Sequence, residues 1–305
     1  MHEIILHHYP LSPFSEKVRL ALGLKRLAWR SVVIPVAMPK PDLMPLTGGY
    51  RRTPVMQVGA DIYCDTQIIL RALERMHPEP SLFPGGTEGE ATALAWWAEK
   101  STFAPAVGVV ANVRSEMFTP AFVEERKAFG FNLAKQEVAP LLPRYVQQLA
   151  AHLGWLGQML ADGRPFLLGD APSAADLAAY HPIWFARKNG GAEADAMLPL
   201  DLLHAWYDRV AAIGHGTPSD MTAEEALAVA MHAEPAAPDI AADGDPSHLK
   251  RGSRVTVTPD DTGRDPVHGR LIAADAQEIV IRRSDSHVGE VNVHFPRAGI
   301  DAVAA

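Results

Sequence analysis

The first eighty residues combine short apolar runs with two helical patterns. Short apolar or alternating runs favour strands, whereas apolar residues that recur every three or four positions favour helices. The pattern predicts a strand over 3–9, a helix from Ser15, a strand over 29–36, two short strands over 55–58 and 62–64, and a helix over 66–77. Gly59-Ala60-Asp61 between the two short strands is a hairpin signal. A small mixed sheet covered by helices is therefore predicted for residues 1–82.

The next region, residues 88–232, contains almost no strand signal and is predicted to be an all-helical domain. The helical periodicity covers residues 91–101, 120–132, 138–162, 174–188 and 199–213. Residues 233–248 change to Ala, Pro, Asp and Gly without periodicity, which predicts a flexible linker.

After this linker the apolar pattern switches to period two. Four strands are predicted, over 254–258, 267–272, 278–282 and 290–295. Short strands within about 55 residues predict a small all-β, barrel-like domain over residues 249–305. On this interpretation, truncation near residue 245 leaves residues 1–232 folded.

Composition narrows the function classes for the 305-residue chain. Its net charge is −8, and residues 249–305 carry eight basic and eight acidic side chains, so no electrostatic footprint for nucleic acid is expected. No apolar stretch reaches the ~18–20 residues needed to span a membrane, and the apolar run after the N-terminus is too short for a signal peptide. The single cysteine, Cys64, suits a reducing compartment and is interpreted as a buried small residue. A cytoplasmic location is expected, without a membrane partner.

The segment Ser12-Pro13-Phe14-Ser15, between the first strand and the first helix, is the main candidate for chemistry. In thioredoxin-like proteins this position carries two cysteines around two other residues, with a thiol at a helix N-terminus where its pKa falls. Serine at both positions excludes dithiol redox chemistry but keeps the geometry for stabilising the thiolate of a ligand. The alternative is that Ser12 only caps a helix.

Four segments together resemble the glutathione-transferase family. Ser12-Pro13-Phe14 with Glu16-Lys17-Val18-Arg19 is similar to the active-site stretch of its serine-type members, and Arg52-Thr53-Pro54-Val55 is similar to the family's cis-proline loop. Asp65-Thr66 stands where the family has an acidic residue and serine, and Ser173 to Asp176 looks like its helix-capping box. The resemblance covers residues 3–185. It implies an α/β thioredoxin-like N-terminal domain followed by an all-α domain, with glutathione as co-substrate.

The resemblance also implies roles for single residues. Ser12 would contact the glutathione sulfur, the Thr53 backbone before Pro54 would pair with the cysteinyl part, and Asp65 and Thr66 would hold the γ-glutamyl ammonium and carboxylate. Arg52, beside this loop, suits the glycine carboxylate, although a solvated arginine pair with Arg51 is the alternative. Tyr9 and Ser15 stay open as alternative hydroxyls. No metal ligand set is expected, because no carboxylate or second histidine stands at a ligand spacing near His7 and His8.

The expected activity is addition of the glutathione thiolate to a hydrophobic electrophile. The electrophile is expected to lie between the domains, against Phe103, Val107, Val110 and Met117. Alternatives are a catalytically weak scaffold that binds a partner protein, and isomerisation or dehalogenation with glutathione as a cofactor. A homodimer is compatible with the resemblance, and Trp96-Trp97 is interpreted as packing or a subunit contact, with a substrate platform as the alternative.

Overall fold

The computed structural model describes residues 3–240, 245 and 247–305. The strands are β1 (Ile4–His8), β2 (Ala28–Val33), β3 (Val55–Val58), β4 (Asp61–Cys64), β5 (Thr217–Asp220), β6 (Arg254–Pro259), β7 (Val267–Ala274), β8 (Glu278–Asp285), β9 (Gly289–Pro296) and β10 (Ile300–Ala304). The helices are α1 (Pro13–Leu24), α2 (Met44–Thr47), α3 (Thr66–Met76), α4 (Glu88–Val113), α5 (Pro120–Phe129), α6 (Lys135–Val138), α7 (Leu142–Met159), α8 (Ala174–Asp195), α9 (His204–Ala211) and α10 (Ala223–Met231). Three short 3₁₀ turns span Pro84–Gly86, Ser115–Met117 and Ala139–Leu141.

The N-terminal strands form the predicted mixed sheet. β1 runs parallel to β2 and antiparallel to β3, and β3 and β4 form the hairpin around Gly59. At this end of the sheet, the sequence pattern missed β5, which pairs parallel with β2, from Ala28 opposite Thr217 onward. Its sequence, Thr-Pro-Ser-Asp, is exposed throughout and has no apolar alternation, so the sequence carried no strand signal.

The helical domain is built on α4, α7 and α8. Helix α4 is much longer than the predicted 91–101 segment because it continues through Pro105 to Val113. Its small and branched residues, including Ala98, Ala106 and Val109, are buried in one core with residues of α7 and α8. The same core contains residues of α1 and α3, so the helices that cover the N-terminal sheet pack directly on the helical domain.

The four predicted C-terminal strands exist, and a fifth, β10, was not predicted, but these strands do not form a separate barrel. β9 pairs parallel with β4, and all the described strands form one ten-stranded sheet in the order β10-β6-β7-β8-β9-β4-β3-β1-β2-β5. The expected barrel-like domain over 249–305 is therefore corrected to an extension of the N-terminal sheet. The edge of β4 gains a partner, which removes the exposed row of unpaired backbone groups that an edge strand presents.

This extension shares a hydrophobic core with the N-terminal domain. Val293 and Phe295 of β9 and Ile279 and Ile281 of β8 are fully buried and belong to the same cluster as Ile62 of β4. Helix α10 packs on this core as well, through Ala226 and Ala230. The predicted helical domain therefore ends earlier than residue 232, since β5 and α10 return to the N-terminal sheet.

The predicted linker over 233–248 lies partly outside the described residues, which omit 241–244 and 246. Its described beginning is bound to the sheet: the Ala236 N–H donates to Asp61 Oδ2 at 2.9 Å, and Asn292 Nδ2 donates to the Ala236 carbonyl at 2.8 Å.

A buried charged cluster lies where the extension meets the N-terminal strands. His294 of β9 places Nδ1 2.7 Å from Glu278 and Nε2 3.1 Å from Asp61, and its ring stacks on Tyr63. Glu278 also accepts a hydrogen bond from Arg75 of α3 at 2.8 Å. Burial lowers the pKa of His294, but the hydrogen bonds to the two carboxylates outweigh it and raise that pKa above its usual value. The cluster thus joins β4, β8, β9 and α3 through charge-assisted hydrogen bonds.

Candidate functional site

Strand register brings the predicted site residues to one end of the sheet. His7 of β1 lies opposite Val55 of β3, and Val55 lies opposite Cys64 of β4. The end of β1, the start of β3 and the end of β4 are therefore neighbours. The segments just outside these ends are the start of α1, the Thr53-Pro54 turn and the Asp65-Thr66 pair.

Ser12 is the N-cap of α1. Its backbone is extended, and its Oγ accepts a hydrogen bond from the Ser15 N–H at 3.1 Å, which satisfies one free amide of the first helical turn. The capping role named above is thus present. The hydroxyl accepts this bond through a lone pair, and its proton pairs with the Tyr9 oxygen. Ser12 is 1% exposed, so the surrounding residues cover its hydroxyl.

Tyr9 and Ser15 flank this hydroxyl. Burial raises the pKa of Tyr9, against the positive charge of Arg126 and a hydrogen bond with Ser12, so the phenol is neutral and able to donate. The Ser15 Oγ is fully buried and has no hydrogen-bond partner in the described part of the chain. Both alternatives to Ser12 therefore lie at the site.

The Thr53–Pro54 peptide bond is cis, which confirms the expectation for this loop. Thr53 Oγ1 accepts a hydrogen bond from Lys40 Nζ at 2.8 Å, and the same ammonium donates to the Arg51 carbonyl at 2.9 Å. Within the described ranges, the Thr53 main chain makes no hydrogen bond to other backbone groups. Its N–H and C=O are the groups that an extended peptide pairs with.

Lys40 was not recognised from the sequence, because it lies in the Pro-rich loop between β2 and α2. It is 4% exposed. Burial lowers its pKa to about 8, helped by the positive charge of Arg126, so it carries a proton at neutral pH. Among the residues that the structure describes, it has hydrogen bonds to neutral oxygens only.

Asp65 is the N-cap of α3 and has an unusual backbone. Its φ is 100°, a region that non-glycine residues rarely adopt, and such backbone strain clusters at functional sites. Its Oδ1 accepts from the Gln67 N–H at 2.9 Å, which leaves lone pairs for another donor. Burial raises the pKa of this carboxyl, and the hydrogen bond from the Gln67 N–H opposes the increase.

Thr66 leads into a buried charged cluster that the sequence analysis missed. Its Oγ1 accepts from Lys17 Nζ at 3.1 Å, and Lys17 forms a 2.7 Å ion pair with Glu99 of α4. His181 of α8 lies 3.1 Å from the same Glu99 oxygen. Burial raises the pKa of Glu99, but the charge of Lys17 and the bond with His181 bring it down to about 2. A carboxylate ligand at Thr66 would therefore meet a hydroxyl backed by an ammonium.

Arg52 does not point freely into the cleft. It donates to the Asp261 carboxylate and to the Thr262 carbonyl, both in the β6–β7 loop (residues 260–266). Asp261 also accepts from Lys100 of α4 at 2.6 Å. Burial raises the pKa of Asp261, yet Lys100 and Arg52 hold it at about 2, so this carboxylate is ionised. Arg52, which was expected to bind the glycine carboxylate of glutathione, is thus bound to a carboxylate of its own chain.

The aromatic side chains beside Ser12 come from both domains. The Phe14 ring lies 4.8 Å from the Phe103 ring of α4, which in turn contacts Phe131 at 5.6 Å. Of the other residues expected around an electrophile, Val110 is buried in the helical core and Met117 is 52% exposed, so neither lines this contact.

Of the remaining sequence candidates, Cys64 is fully buried, and burial together with Asp65 raises the pKa of its thiol well above the usual value. That arrangement fits a small core residue.

Trp97 stacks on Trp155 of α7, and Trp96 packs on Lys100, so this pair contributes to packing. The capping box is present: Asp176 accepts from the Ser173 N–H at 2.9 Å and from the Ser173 hydroxyl at 2.7 Å. No helix among the described residues is long and apolar enough to cross a membrane.

Comparison with known proteins identifies the family to which this architecture belongs. Family models for the glutathione S-transferase N-terminal domain and C-terminal domain match residues 6–81 and 139–209. The crystal structure of a GST-like protein from Pseudomonas syringae is 38% identical, covers 100% of both chains and superposes with a TM-score of 0.80. The chain belongs to the glutathione S-transferase family.

Other relatives of this glutathione S-transferase family member match a part of its length. FtsZ-localized protein A of Caulobacter vibrioides is 27% identical over 192 residues, 58% of this chain and 74% of that protein. The structure of FzlA from C. crescentus is 25% identical, covers 68% of this chain and 87% of that chain, and has a TM-score of 0.51. A glutathione S-transferase of Ceriporiopsis subvermispora in complex with glutathione shares the fold at 19% identity, over 70% of this chain and 98% of that chain, with a TM-score of 0.53. The Pseudomonas syringae protein matches the C-terminal strands as well.

Proposed function

We propose that this family member is a glutathione-dependent transferase whose Ser12 hydroxyl stabilises a bound thiolate. The observation that carries the proposal is the convergence of three groups at one end of the sheet: the Ser12 hydroxyl at the start of α1, the Thr53 main chain, and Asp65 with Thr66 at the start of α3. In glutathione, the thiol would lie at the Ser12 hydroxyl and the cysteinyl backbone at the Thr53 main chain. The ammonium and carboxylate of the γ-glutamyl residue would lie at Asp65 and Thr66.

The energetics of thiol activation are feasible. Lowering a thiol pKa from ~8.5 to ~7 requires about 2 kcal/mol. A hydrogen bond to a charged group supplies roughly 1.5–3 kcal/mol, and the N-terminus of α1 adds ~0.3–1 kcal/mol. The thiol proton leaves to solvent, the thiolate attacks an electrophilic carbon, and a leaving group departs with the electron pair of the broken bond. The aromatic cluster of Phe14, Phe103 and Phe131 suits a hydrophobic electrophile.

Titration calorimetry with glutathione, followed by a conjugation assay with an aryl halide, tests the proposal. We expect saturable binding at one site per chain, weakened in Asp65→Ala, and conjugation that falls in Ser12→Ala. Failure of the wild-type protein to bind any γ-glutamyl thiol would overturn the proposal.

A second function is favoured by a separate observation. Ser12 is nearly fully buried and Arg52 is held by Asp261, which are features of a closed cleft. One relative is named for localisation with FtsZ, and glutathione S-transferase folds also serve as binding proteins. The alternative function is therefore a scaffold that binds a partner protein, and it predicts no thiol binding in the same calorimetry.

A further inference from the structure

The β6–β7 loop (residues 260–266) covers Arg52, the residue expected from the sequence to bind the glycine carboxylate of glutathione. Asp261 bridges Arg52 of the N-terminal domain and Lys100 of α4, so it spans the two domains at this point. Its carboxylate makes the contact with Arg52 that a C-terminal glycine carboxylate would otherwise make. A second carboxylate on this guanidinium would be repelled by the Asp261 carboxylate, which would weaken its binding.

Several contacts independent of Asp261 hold the loop in this position. The Gly263 N–H donates to the Phe129 carbonyl at 2.8 Å, and Asp265 forms a 2.8 Å ion pair with Arg51. Thr262 packs so closely on Gly130 that a Cβ at position 130 would lie 2.9 Å from its methyl group. The loop is therefore docked on α5 and on the Arg51-Arg52 segment, and is not a lone side chain resting on Arg52.

The Lys40 ammonium, next to Thr53, differs from the Arg52 guanidinium in its partners. It donates to the Thr53 hydroxyl and to the Arg51 carbonyl, and it has no carboxylate partner in the described portion of the chain. A ligand whose carboxylate ends at the cysteinyl position would place that charge beside the Thr53 backbone, near this ammonium. The charges of the cleft thus favour a thiol one residue shorter than glutathione.

Resting on the transferase function proposed above, we infer that the thiol substrate is a γ-glutamyl thiol without the C-terminal glycine, such as γ-glutamylcysteine. Asp261 acts as the specificity-determining residue, since it takes the place of the glycine carboxylate on Arg52. The γ-glutamyl end is still recognised by Asp65 and Thr66.

Titration calorimetry with γ-glutamylcysteine and with glutathione tests this inference on the full chain. We expect the dipeptide to bind at least about tenfold more tightly, the factor associated with one charge-assisted hydrogen bond. Asp261→Asn should remove the competing negative charge from Arg52, which keeps its hydrogen bonds to the Thr262 carbonyl, and should strengthen glutathione binding by about tenfold while leaving dipeptide affinity nearly unchanged. Asp260→Asn is the matched control, because it removes the same charge from the same loop at a residue that approaches Lys100 only to 3.9 Å.

Three outcomes separate this inference from the proposed function. Preference for the dipeptide that disappears in Asp261→Asn but not in Asp260→Asn supports the inference. Equal or tighter binding of glutathione by the wild-type chain overturns the inference and leaves the transferase function standing. Binding of neither thiol by the wild-type chain and by Asp261→Asn overturns the transferase function, and the inference with it.

Discussion

At the scale of single residues, Ser12 and Asp65 differ in what each can touch. Ser12 caps α1 and Asp65 caps α3. In the proposed function, Ser12 acts on the pKa of the bound thiol and Asp65 acts on affinity. Because each residue also caps a helix, unfolding is measured beside binding, and Asp65→Asn is included because it keeps the cap.

Asp65→Asn keeps an oxygen that accepts from the Gln67 N–H but removes the charge. We expect thiol binding to weaken by about 1.5–3 kcal/mol, the value of a charged hydrogen bond, with little change in the free energy of unfolding. Asp65→Ala should lose the same binding energy and a further ~1 kcal/mol of stability through the lost cap. Calorimetry and urea unfolding measure the two effects, and wild-type affinity in Asp65→Asn would remove Asp65 from the binding site.

The local sequence predicted some residues of the candidate site but not others, and the difference has a physical reason. Ser12, Pro54 and Asp65 lie in turns and caps, where a few consecutive residues determine the geometry. Lys17, Glu99 and His181 come from three different helices, and their ion pair and hydrogen bond form only after the two domains pack. Lys17 stands among charged residues of α1, where local sequence favours an exposed side chain, but it is 2% exposed.

At the scale of secondary-structure elements, α8 begins at a capping box whose carboxylate has additional partners. Asp176 accepts from the Leu167 N–H at 2.8 Å and from Trp206 Nε1 at 2.9 Å, besides the two Ser173 donors. The box therefore ties the loop before α8 and the helix α9 to the start of α8.

Ser173→Ala should lower the free energy of unfolding by ~1 kcal/mol, the usual cost of losing a cap, and leave thiol affinity unchanged. Asp176→Ala should cost ~3 kcal/mol or more, because four donors lose their acceptor in a buried position. Urea unfolding and calorimetry check both variants. Collapse of thiol binding with unchanged unfolding would contradict a structural role for this box.

The buried imidazole of His294 gives the junction between β9, β8 and β4 a defined pH dependence. Its pKa is raised in the folded state, so its contribution to stability is fully present below the unfolded value of ~6.5 and is lost as the pH rises through the folded value. His7, whose pKa burial lowers to about 4, has the opposite sign: its contribution is present above ~6.5 and is lost as the pH falls.

We therefore expect the stability difference between wild type and His294→Gln to be largest at acidic pH and to shrink as the pH rises. In His7→Gln the difference should shrink toward acidic pH instead. Urea unfolding from mildly acidic to alkaline pH measures both series. A His294→Gln difference that grows with pH would show that His294 is neutral in the folded protein.

At the scale of the whole molecule, the strands of the extension were predictable and their pairing was not. Residues of β6 to β9 alternate with period two, which the local sequence shows directly. Whether β9 closes a barrel with β6 or pairs with β4 depends on which edge buries Val293 and Phe295, and this choice is made by tertiary packing. The short exposed strand β5 carried no signal at all.

Truncation after residue 232 is expected to damage the fold, contrary to the prediction for a separable barrel. It would expose the edge of β4 and remove fully buried Phe295, whose loss alone typically costs ~3–5 kcal/mol. Truncation after residue 296 is the matched control, because it removes only the edge strand β10 and its preceding turn. Size-exclusion chromatography and near-ultraviolet circular dichroism distinguish them; a monomeric 1–232 protein with native spectra would refute the shared core.

The pKa of the bound thiol tests the central claim most directly, because it needs no electrophile. The ultraviolet absorbance of the thiolate, titrated against pH with γ-glutamylcysteine or glutathione bound, should give a pKa near ~7 in the wild type and a value close to the free thiol's ~8.5 in Ser12→Ala. Ser15→Ala and Tyr9→Phe should titrate like the wild type. Identical titrations of wild type and Ser12→Ala, or a bound thiol that keeps its free pKa in the wild type, would contradict the account.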